Sequence, residues 1–419
     1  MKKQHLPVFL LSFLLTLLFL SPAAGQARGL KWMKDGSSYC RLEGNAIVQY
    51  TLPSNQGRTL LDKSRLVPEG KEEPLVIFDF YFSTDEQKVL IYTNTRQVWR
   101  INTRGDYWVV DLKGGSPVQL GASLPPSSLM FAKISPDGTK AAYVSEYNVY
   151  VEDLASHEIK ALTTDGNRKL INGTFDWAYE EEFACRDGFR WSPDSKSVAY
   201  WQLDAGDTPD YLMSNLTDSI YPYIIPVEYP VAGHDPSSCR VGVADIASAQ
   251  TTWMEVPGDP RQHYIVRMEF IPGTGDLLLQ QLNRKQNESK LLRCSAADGS
   301  VRTVFGESSE AWIDVLTPSY SEDSYNVAFA HRFAWLDRGR TFLWACEKDG
   351  WRHLYRIDLA GNPATLITIG AYDVLALKGV DEEKGFVYFT ASPENATQAY
   401  LYRTKLSNGR TRKPDSQGT

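Results

Sequence analysis

The chain has 419 residues, of which 42% are hydrophobic and 23% charged, a balance typical of a folded protein rather than a disordered one. Its formal net charge of −7 argues against nucleic acid as the main partner, because phosphate binding needs a basic surface. The length is too great for one ordinary compact core, and it indicates two or three domains or one large repeat fold.

The first element in the chain is an apolar leader. Lys2 and Lys3 precede the short hydrophobic run LPVFLLSFLLTLLFL, and the small residues of SPAAGQA follow it. This order is that of a secretory signal peptide, which we assign to residues 1–25. We therefore expect an exported protein, periplasmic or extracellular, with an uncleaved membrane anchor as the alternative.

From residue 39 onward, short strands alternate with turns, and one unit recurs. Asp or Gly in its turn allows the backbone geometry that a hairpin needs. Repeated units of four strands are typical of β-propeller blades. The sequence predicts an all-β propeller of about seven to eight four-stranded blades, with a β-sandwich array as the structural alternative. The clearest copies of the unit are FYFSTDEQKVLIYT (80–93), FAKISPDGTKAAYVS (131–145) and FRWSPDSKSVAYWQ (189–202), and looser ones include MEFIPGTGDLLLQQ (268–281) and FAWLDRGRTFLWAC (333–346).

The stretch 207–243, rich in Tyr and Pro, interrupts this rhythm. Pro222, Pro226 and Pro230 exclude a central strand there, because proline cannot donate a ladder hydrogen bond. The stretch is predicted to be an extended arm leaving the propeller, with exposed side chains for a partner. An ordered loop packed on its own blade is the alternative.

Catalytic and metal-binding signatures are absent from the sequence. No G-x-S-x-G, H-E-x-x-H or Walker glycine loop occurs, and we expect no catalytic residue, no metal and no other cofactor in this chain. The turn aspartates, such as Asp137 and Asp194, are interpreted as hairpin residues. The five cysteines allow one or two disulfides, and because their number is odd at least one thiol stays unpaired. They are Cys40, Cys185, Cys239, Cys294 and Cys346.

Three consecutive glutamates (Glu180, Glu181 and Glu182) lie between aromatic residues in NGTFDWAYEEEFACRDGF (172–189). Asp176 is expected to be the N-cap of a short helix. Successive helix residues point about 100° apart, so two glutamates could converge on a ligand while the third is solvated or salt-bridged. An α-ammonium with a pKa near 8 stays charged while both carboxylates are ionised. The pattern suits a clamp for a peptide amino terminus, with a solvated acidic helix as the alternative.

The segment TFDWAYEEEF closely resembles the D-W-V-Y-E-E-E motif of the dipeptidyl peptidase IV family, within the prolyl oligopeptidase superfamily. Ala178 replaces the usual Val. The resemblance extends over nearly the whole mature chain, including FAKISPDGTKAAYVSEYNVYVEDL, FRWSPDSKSVAYWQLD and EKDGWRHLYRIDLAGN. The stretch YPYIIPVEYPVAGHDPSSCRVGVADI is similar to the Tyr/Pro-rich segment of the family, which contributes to dimerisation.

This resemblance implies roles for individual residues. Glu181 and Glu182 would bind the free amino terminus of a peptide substrate, while Glu180 would be structural. The arginine that contacts the substrate carbonyl in the family corresponds to Arg100 in QVWRINTRGDYWVVDL, although the extra Val98 departs from the family pattern.

The resemblance also implies a second domain. Full-length members carry an α/β-hydrolase domain with a Ser-Asp-His triad, and this chain ends where the linker to that domain would begin. We therefore assign residues 26–405 to the propeller and 406–419 to the start of the linker. The predicted function is substrate recognition within a secreted serine dipeptidyl peptidase, inactive without the hydrolase domain. A non-catalytic binding or scaffold propeller is the alternative, and adjacent glutamates disfavour a propeller glycosidase.

Overall fold

The computed structural model describes residues 30–99, 101–315, 333–395 and 397–407. The predicted signal peptide, Arg100 and nearly all of the predicted linker lie outside these ranges. Within the described ranges, no helix is long and apolar enough to cross a membrane.

Seven antiparallel sheets form the blades of a propeller, which confirms the predicted all-β architecture. Blades 1 to 3 contain β1 (Lys31–Trp32), β2 (Ser38–Glu43), β3 (Ala46–Thr51), β4 (Gln56–Leu61), β5 (Asp79–Phe82), β6 (Lys88–Val98), β7 (Ile101–Asp111), β8 (Val118–Gln119), β9 (Met130–Ile134), β10 (Lys140–Ser145), β11 (Asn148–Asp153) and β12 (Ile159–Ala161), four strands to a blade.

Blade 4 differs from its neighbours because it also carries a helix and an arm. It contains β13 (Leu170–Asn172), helix α1 (Trp177–Phe183), β14 (Phe189–Trp191), β15 (Ser197–Asp204), β18 (Ser238–Asp245) and β19 (Thr251–Trp253), and its arm contains β16 (Asp210–Asn215) and β17 (Tyr223–Glu228).

The remaining strands form blades 5, 6 and 7 in the same sequential order. They are β20 (His263–Phe270), β21 (Leu277–Asn283), β22 (Glu288–Cys294) and β23 (Val301–Ser308) in blade 5, β24 (Phe333–Leu336), β25 (Thr341–Cys346), β26 (His353–Asp358) and β27 (Thr365–Leu366) in blade 6, and β28 (Val374–Asp381), β29 (Phe386–Ala391) and β30 (Tyr400–Lys405) in blade 7. Short 3₁₀ turns occupy Lys63–Leu66 and Asp337–Gly339.

The hydrophobic core is divided among the boundaries between successive blades. Ile47 of blade 1 packs in one cluster with Phe80 of blade 2, and Leu291 of blade 5 packs in another with Phe342 of blade 6. Each of these side chains is fully buried, a state that stabilises the fold by roughly 1.5–3 kcal/mol per side chain. A blade therefore buries its faces only with its neighbours in place, as expected of a repeat fold.

The turns between the first and second strands of blades 2, 3 and 4 share one hydrogen-bond pattern. In blade 3, the Ser135 hydroxyl donates to Asp137 at 2.6 Å, and the Thr139 N–H donates to the same carboxylate at 3.0 Å. Ser192 and Asp194 repeat the pattern in blade 4 at 2.7 Å. The interpretation of these aspartates as hairpin residues is confirmed, since each satisfies donors of its own turn.

Antiparallel order divides the loops between the two faces of the propeller. If the four strands of a blade are lettered A to D in chain order, the A–B and C–D turns lie on one face, called here the AB face. The B–C turn and the connection to the next blade lie on the other face, called here the BC face. Contact between neighbouring turns follows this rule, since the Asp137 N–H of blade 3 donates to the Ser195 hydroxyl of blade 4 at 3.0 Å. Helix α1 and the arm both belong to the BC face.

The stretch forms a separate two-stranded sheet, the predicted arm, and the base of this arm keeps contact with blade 4, since Tyr229 packs on Trp177 of α1 and Arg168 pairs with Asp210. Pro226 lies inside β17, opposite Leu212, where it disturbs no further neighbour because both strands are edges. The apolar side chains of Leu212 and Ile224 are 63% and 53% exposed. The arm therefore presents an uncovered apolar surface.

An ionic cluster joins the innermost strands of blades 3, 4 and 5. Lys133 on β9 contacts Asp187 at 2.5 Å, and Asp187 also lies 3.4 Å from Arg190 on β14. Arg190 in turn lies 3.6 Å from Glu269 on β20. Burial lowers the pKa of the Lys133 ammonium to about 8, and it raises the pKa of Glu269.

All five cysteines are free, buried thiols, so neither of the disulfides that the sequence allowed is formed. Burial raises the pKa of Cys185 and of Cys239 to about 12. Because the thiolate is the reactive form, these side chains behave as small core residues.

Candidate functional site

Helix α1 begins at the residue that the sequence predicted. Asp176 is its N-cap: one carboxylate oxygen accepts the Tyr179 N–H at 2.9 Å, and the other accepts the Ser237 hydroxyl at 2.6 Å. Ala184 ends the helix in a left-handed conformation with φ 51°. Burial raises the pKa of Asp176, although both hydrogen bonds oppose that change. The local sequence therefore determines both ends of this short helix.

An aromatic face attaches α1 to the boundary between blades 4 and 5. Tyr179 and Phe183, one turn apart, are both buried, and the ring of Phe183 lies 4.9 Å from that of Tyr264. Phe175 stacks on Tyr179 at 5.5 Å. The Tyr179 hydroxyl accepts the Ile265 N–H of blade 5 at 3.2 Å. The aromatic residues around the glutamates thus hold the helix in place.

The three glutamates lie in different environments. Glu180 forms an ion pair with Arg186, with 3.0 Å between Oε1 and Nε, and both side chains are largely buried. Glu181 is half-buried and Glu182 is exposed. The structural role expected for Glu180 is confirmed by this pair. Arg186 was not singled out by the sequence reasoning, although a cation four residues after the motif was a signal that could have identified it.

Glu182 directly precedes Phe183, which packs on Tyr264 of blade 5. Burial raises the pKa of the Tyr264 hydroxyl, and the negative charges of Asp176 and Glu182 raise it further, against the effect of Arg284.

A cavity of about 210 Å³ on the BC face lies between α1, the β6–β7 hairpin and the arm. Trp99 at the tip of that hairpin lines it, together with Arg104, Trp177 and Glu180. Arg104 was not predicted from the sequence. Among the described residues, the cavity lining includes Glu180 but neither Glu181 nor Glu182.

Arg100 lies outside the described residues, but Trp99 before it has a defined place. Trp99 adopts φ 55° and is 44% exposed beside the cavity. The fold therefore brings Trp99 of the β6–β7 hairpin and helix α1 to one face.

Comparison with known proteins identifies the family. Residues 83–418 match the family model described as the dipeptidyl peptidase IV (DPP IV) N-terminal region. The chain belongs to the dipeptidyl peptidase IV family.

Relatives in this dipeptidyl peptidase IV family are distant in sequence. A probable dipeptidyl peptidase 4 of Aspergillus flavus is 23% identical over 93% of this chain and 49% of its own length. A probable dipeptidyl-aminopeptidase B of Arthroderma gypseum is 27% identical over 88% of this chain and 41% of its own length. The chain thus spans about half the length of the curated relatives it matches.

A solved structure of the dipeptidyl peptidase IV family shares the fold closely. The crystal structure of Porphyromonas gingivalis dipeptidyl peptidase 4 matches with a TM-score of 0.82 and 25% identity, over 99% of this chain and 56% of that one. A putative dipeptidyl aminopeptidase IV from Bacteroides ovatus matches with a TM-score of 0.71 at 20% identity, over 93% of this chain and 53% of that one, which supports the fold alone.

Proposed function

We propose that this chain is the substrate-recognition propeller of an exported dipeptidyl peptidase IV-like serine exopeptidase. Glu181 and Glu182 bind the free amino terminus of a peptide, and Arg100 binds its backbone carbonyl. An α/β-hydrolase domain in cis supplies the Ser-Asp-His triad. Fixing the amino terminus sets the distance to the bond that is cleaved, so the propeller contributes positioning rather than bond-making.

One observation supports this proposal: the three glutamates of α1 lie in different environments. Arg186 neutralises Glu180 at 3.0 Å, whereas Glu182 is exposed and Glu181 half-buried on the same BC face. Two adjacent anionic side chains on a helix anchored by its aromatic face suit a cation with several N–H donors. A peptide α-ammonium is such a cation at neutral pH.

The proposal is tested in the intact enzyme with Glu181→Gln and Glu182→Gln. Each change removes a charged hydrogen-bond partner and is expected to weaken binding of a free-amino tripeptide by about 10- to 100-fold. The inhibition constants of that tripeptide and of its N-acetylated form give the measurement, and the acetylated form should be little affected. Glu158→Gln, on an exposed edge of blade 3, is the control. Equal losses for both peptides would show that the glutamates do not form an ammonium clamp.

We further propose that the arm forms a homodimer interface. Register places Leu212 and Ile224 on one face of the arm as diagonal neighbours, both exposed. The ring of Tyr211, on the opposite face, lies 5.6 Å from that of Tyr229, which itself packs on Trp177 at 4.5 Å. The Tyr211 face of the arm therefore contacts α1 through Tyr229, and the face that carries Leu212 and Ile224 is available for a second copy.

Dimerisation is tested by replacing Leu212 and Ile224 together with lysine. Charged side chains at a desolvated apolar contact should weaken association at least about tenfold, measured by sedimentation equilibrium. Val118→Lys, an exposed apolar position on β8 of blade 2, is the matched control and should leave association unchanged. A monomeric parent protein, or equal weakening by both variants, would contradict the interface.

A further inference from the structure

A wide cleft of about 840 Å³ lies between blades 5 and 6 on the AB face, the face opposite α1. Its walls are the β20–β21 turn, the β24–β25 turn and the end of β26. A Cβ on Gly339 would lie only 2.7 Å from the Pro272 carbonyl oxygen, so the two turns meet in direct contact. Residues of both blades therefore form the walls of the cleft.

The cleft concentrates positive charge in an otherwise acidic chain. Five arginines line it, together with Asp337 and Asp358, and Asp276 adjoins it through its ion pair with Arg293. Glu382 also adjoins the cleft, because its carboxylate accepts the Asp337 N–H at 2.8 Å. Five guanidinium groups against four carboxylates leave a formal surplus of one positive charge, in a chain whose net charge is −7. The arginines are Arg293, Arg302, Arg338, Arg340 and Arg356.

Part of this arginine set is held in fixed orientations. Arg293 donates to one Asp276 oxygen at 2.8 and 2.6 Å, and Arg356 pairs with Asp337. Arg302 donates to the Leu359 carbonyl oxygen at 2.6 Å. Each guanidinium carries five N–H groups, so these contacts orient the side chains and leave further donors.

The rim of the cleft carries the remaining two arginines, both exposed. Arg340 donates from Nε to the Asp337 carbonyl oxygen at 3.3 Å. Within the described part of the chain, no hydrogen bond or ion pair holds the Arg338 guanidinium. A flexible cation at the rim can therefore turn toward a ligand without breaking an existing contact.

The backbone of this turn is unusual for a hairpin. Asp337, Arg338 and Gly339 have φ values of 51°, 56° and 87°, three left-handed residues in succession. A non-glycine residue in this region costs of order 1 kcal/mol and persists where its surroundings hold it. In the corresponding turns of blades 3 and 4 the aspartate accepts a serine hydroxyl, whereas here Asp337 accepts the Thr341 hydroxyl at 2.6 Å and also pairs with Arg356. The turn LDRGRT therefore keeps an aspartate–hydroxyl contact of its own and adds Arg338 and Arg340 to the lining of the shared cleft.

We propose that this cleft binds the phosphate or sulfate group of an esterified small molecule. Arginine forks match tetrahedral oxyanions through paired N–H donors. The volume lies within the range of roughly 300–1,000 Å³ found for small-molecule sites, so room remains for the organic part of the ligand. The site goes beyond the proposed peptide recognition, since it lies on the other face and uses none of the same residues.

Titration calorimetry of the purified protein tests the site. Inorganic pyrophosphate and inorganic sulfate are titrated separately, at constant ionic strength. Saturable binding of either anion is expected at neutral pH. Replacing Arg338 and Arg340 together with glutamine should weaken it at least about tenfold, because each guanidinium contributes a charge-assisted contact. Preference for one anion distinguishes a phosphate ester from a sulfate ester as the natural ligand.

Arg58→Gln, at an exposed arginine on β4 of blade 1, is the matched control and should bind as the parent protein does. Thermal midpoints of both variants should equal that of the parent, since the replaced side chains are exposed. Absence of saturable binding at millimolar anion, or equal weakening in the control, would overturn the site.

Discussion

Replacing Tyr179 with alanine is expected to lower the free energy of unfolding by about 4 kcal/mol, the range found for large aromatic side chains in closed cores. Tyr179 is 1% exposed and packs against Phe175, Phe183 and Tyr264 at the boundary between blades 4 and 5. Its loss leaves a cavity beneath α1 and detaches the helix from blade 5. Urea titration followed by tryptophan fluorescence measures the change.

The variant Tyr179→Phe separates packing from hydrogen bonding. It keeps the ring but leaves the buried Ile265 N–H without the hydroxyl that accepts it at 3.2 Å, and this should cost about 1–2 kcal/mol. Phe78→Ala, at an aromatic residue that is 37% exposed, is the control and should cost much less than Tyr179→Ala. If the two alanine variants lost the same stability, α1 would not depend on its aromatic face.

Local chemistry explains what the sequence predicted correctly. The Ser and Asp of the first turn in a blade satisfy each other within six residues, so SPDG and its variants identify hairpins wherever they occur. The same holds for Asp176, whose carboxylate accepts an N–H only three residues away. Pro226 excluded a central strand, and β17 is an edge. Each inference depended on contacts between near neighbours in the chain.

Contacts between distant residues could not be predicted in this way. Lys133 and Asp187 are 54 positions apart, and nothing in either blade signature indicates their ion pair. The arginine cleft combines turns from two blades that the sequence showed only as irregular copies. The glutamate motif lies between these cases: Arg186 is near in sequence, but its pairing with Glu180 depends on where the chain turns after Ala184.

The second large effect is expected at the ionic cluster of blades 3, 4 and 5. Asp187→Asn removes the anion that lies between Lys133 and Arg190, so two cations face one another near the propeller axis. Removing one partner of a buried pair costs about 3–5 kcal/mol, and we expect about 3 kcal/mol because the Lys133 side chain is 28% exposed. Asp207→Asn removes a partner from the surface pair with Arg261, and this control should cost less than about 1 kcal/mol.

The pH dependence of this loss tests its electrostatic origin. The pKa of Lys133 is about 8 in the folded protein, below the value of about 10.4 for an unperturbed lysine. The folded state therefore binds fewer protons than the unfolded state between these values, and the contribution of Lys133 to stability rises with pH across that window. In the variant, the pKa of folded Lys133 falls further. The difference between parent and variant should be largest at pH 7 and shrink by pH 10, where Lys133 is neutral in both folded proteins. A difference that is constant from pH 7 to pH 10 would mean that the destabilisation comes from the loss of the Asp187–Arg190 pair, since Arg190 stays charged throughout this range, and not from Lys133.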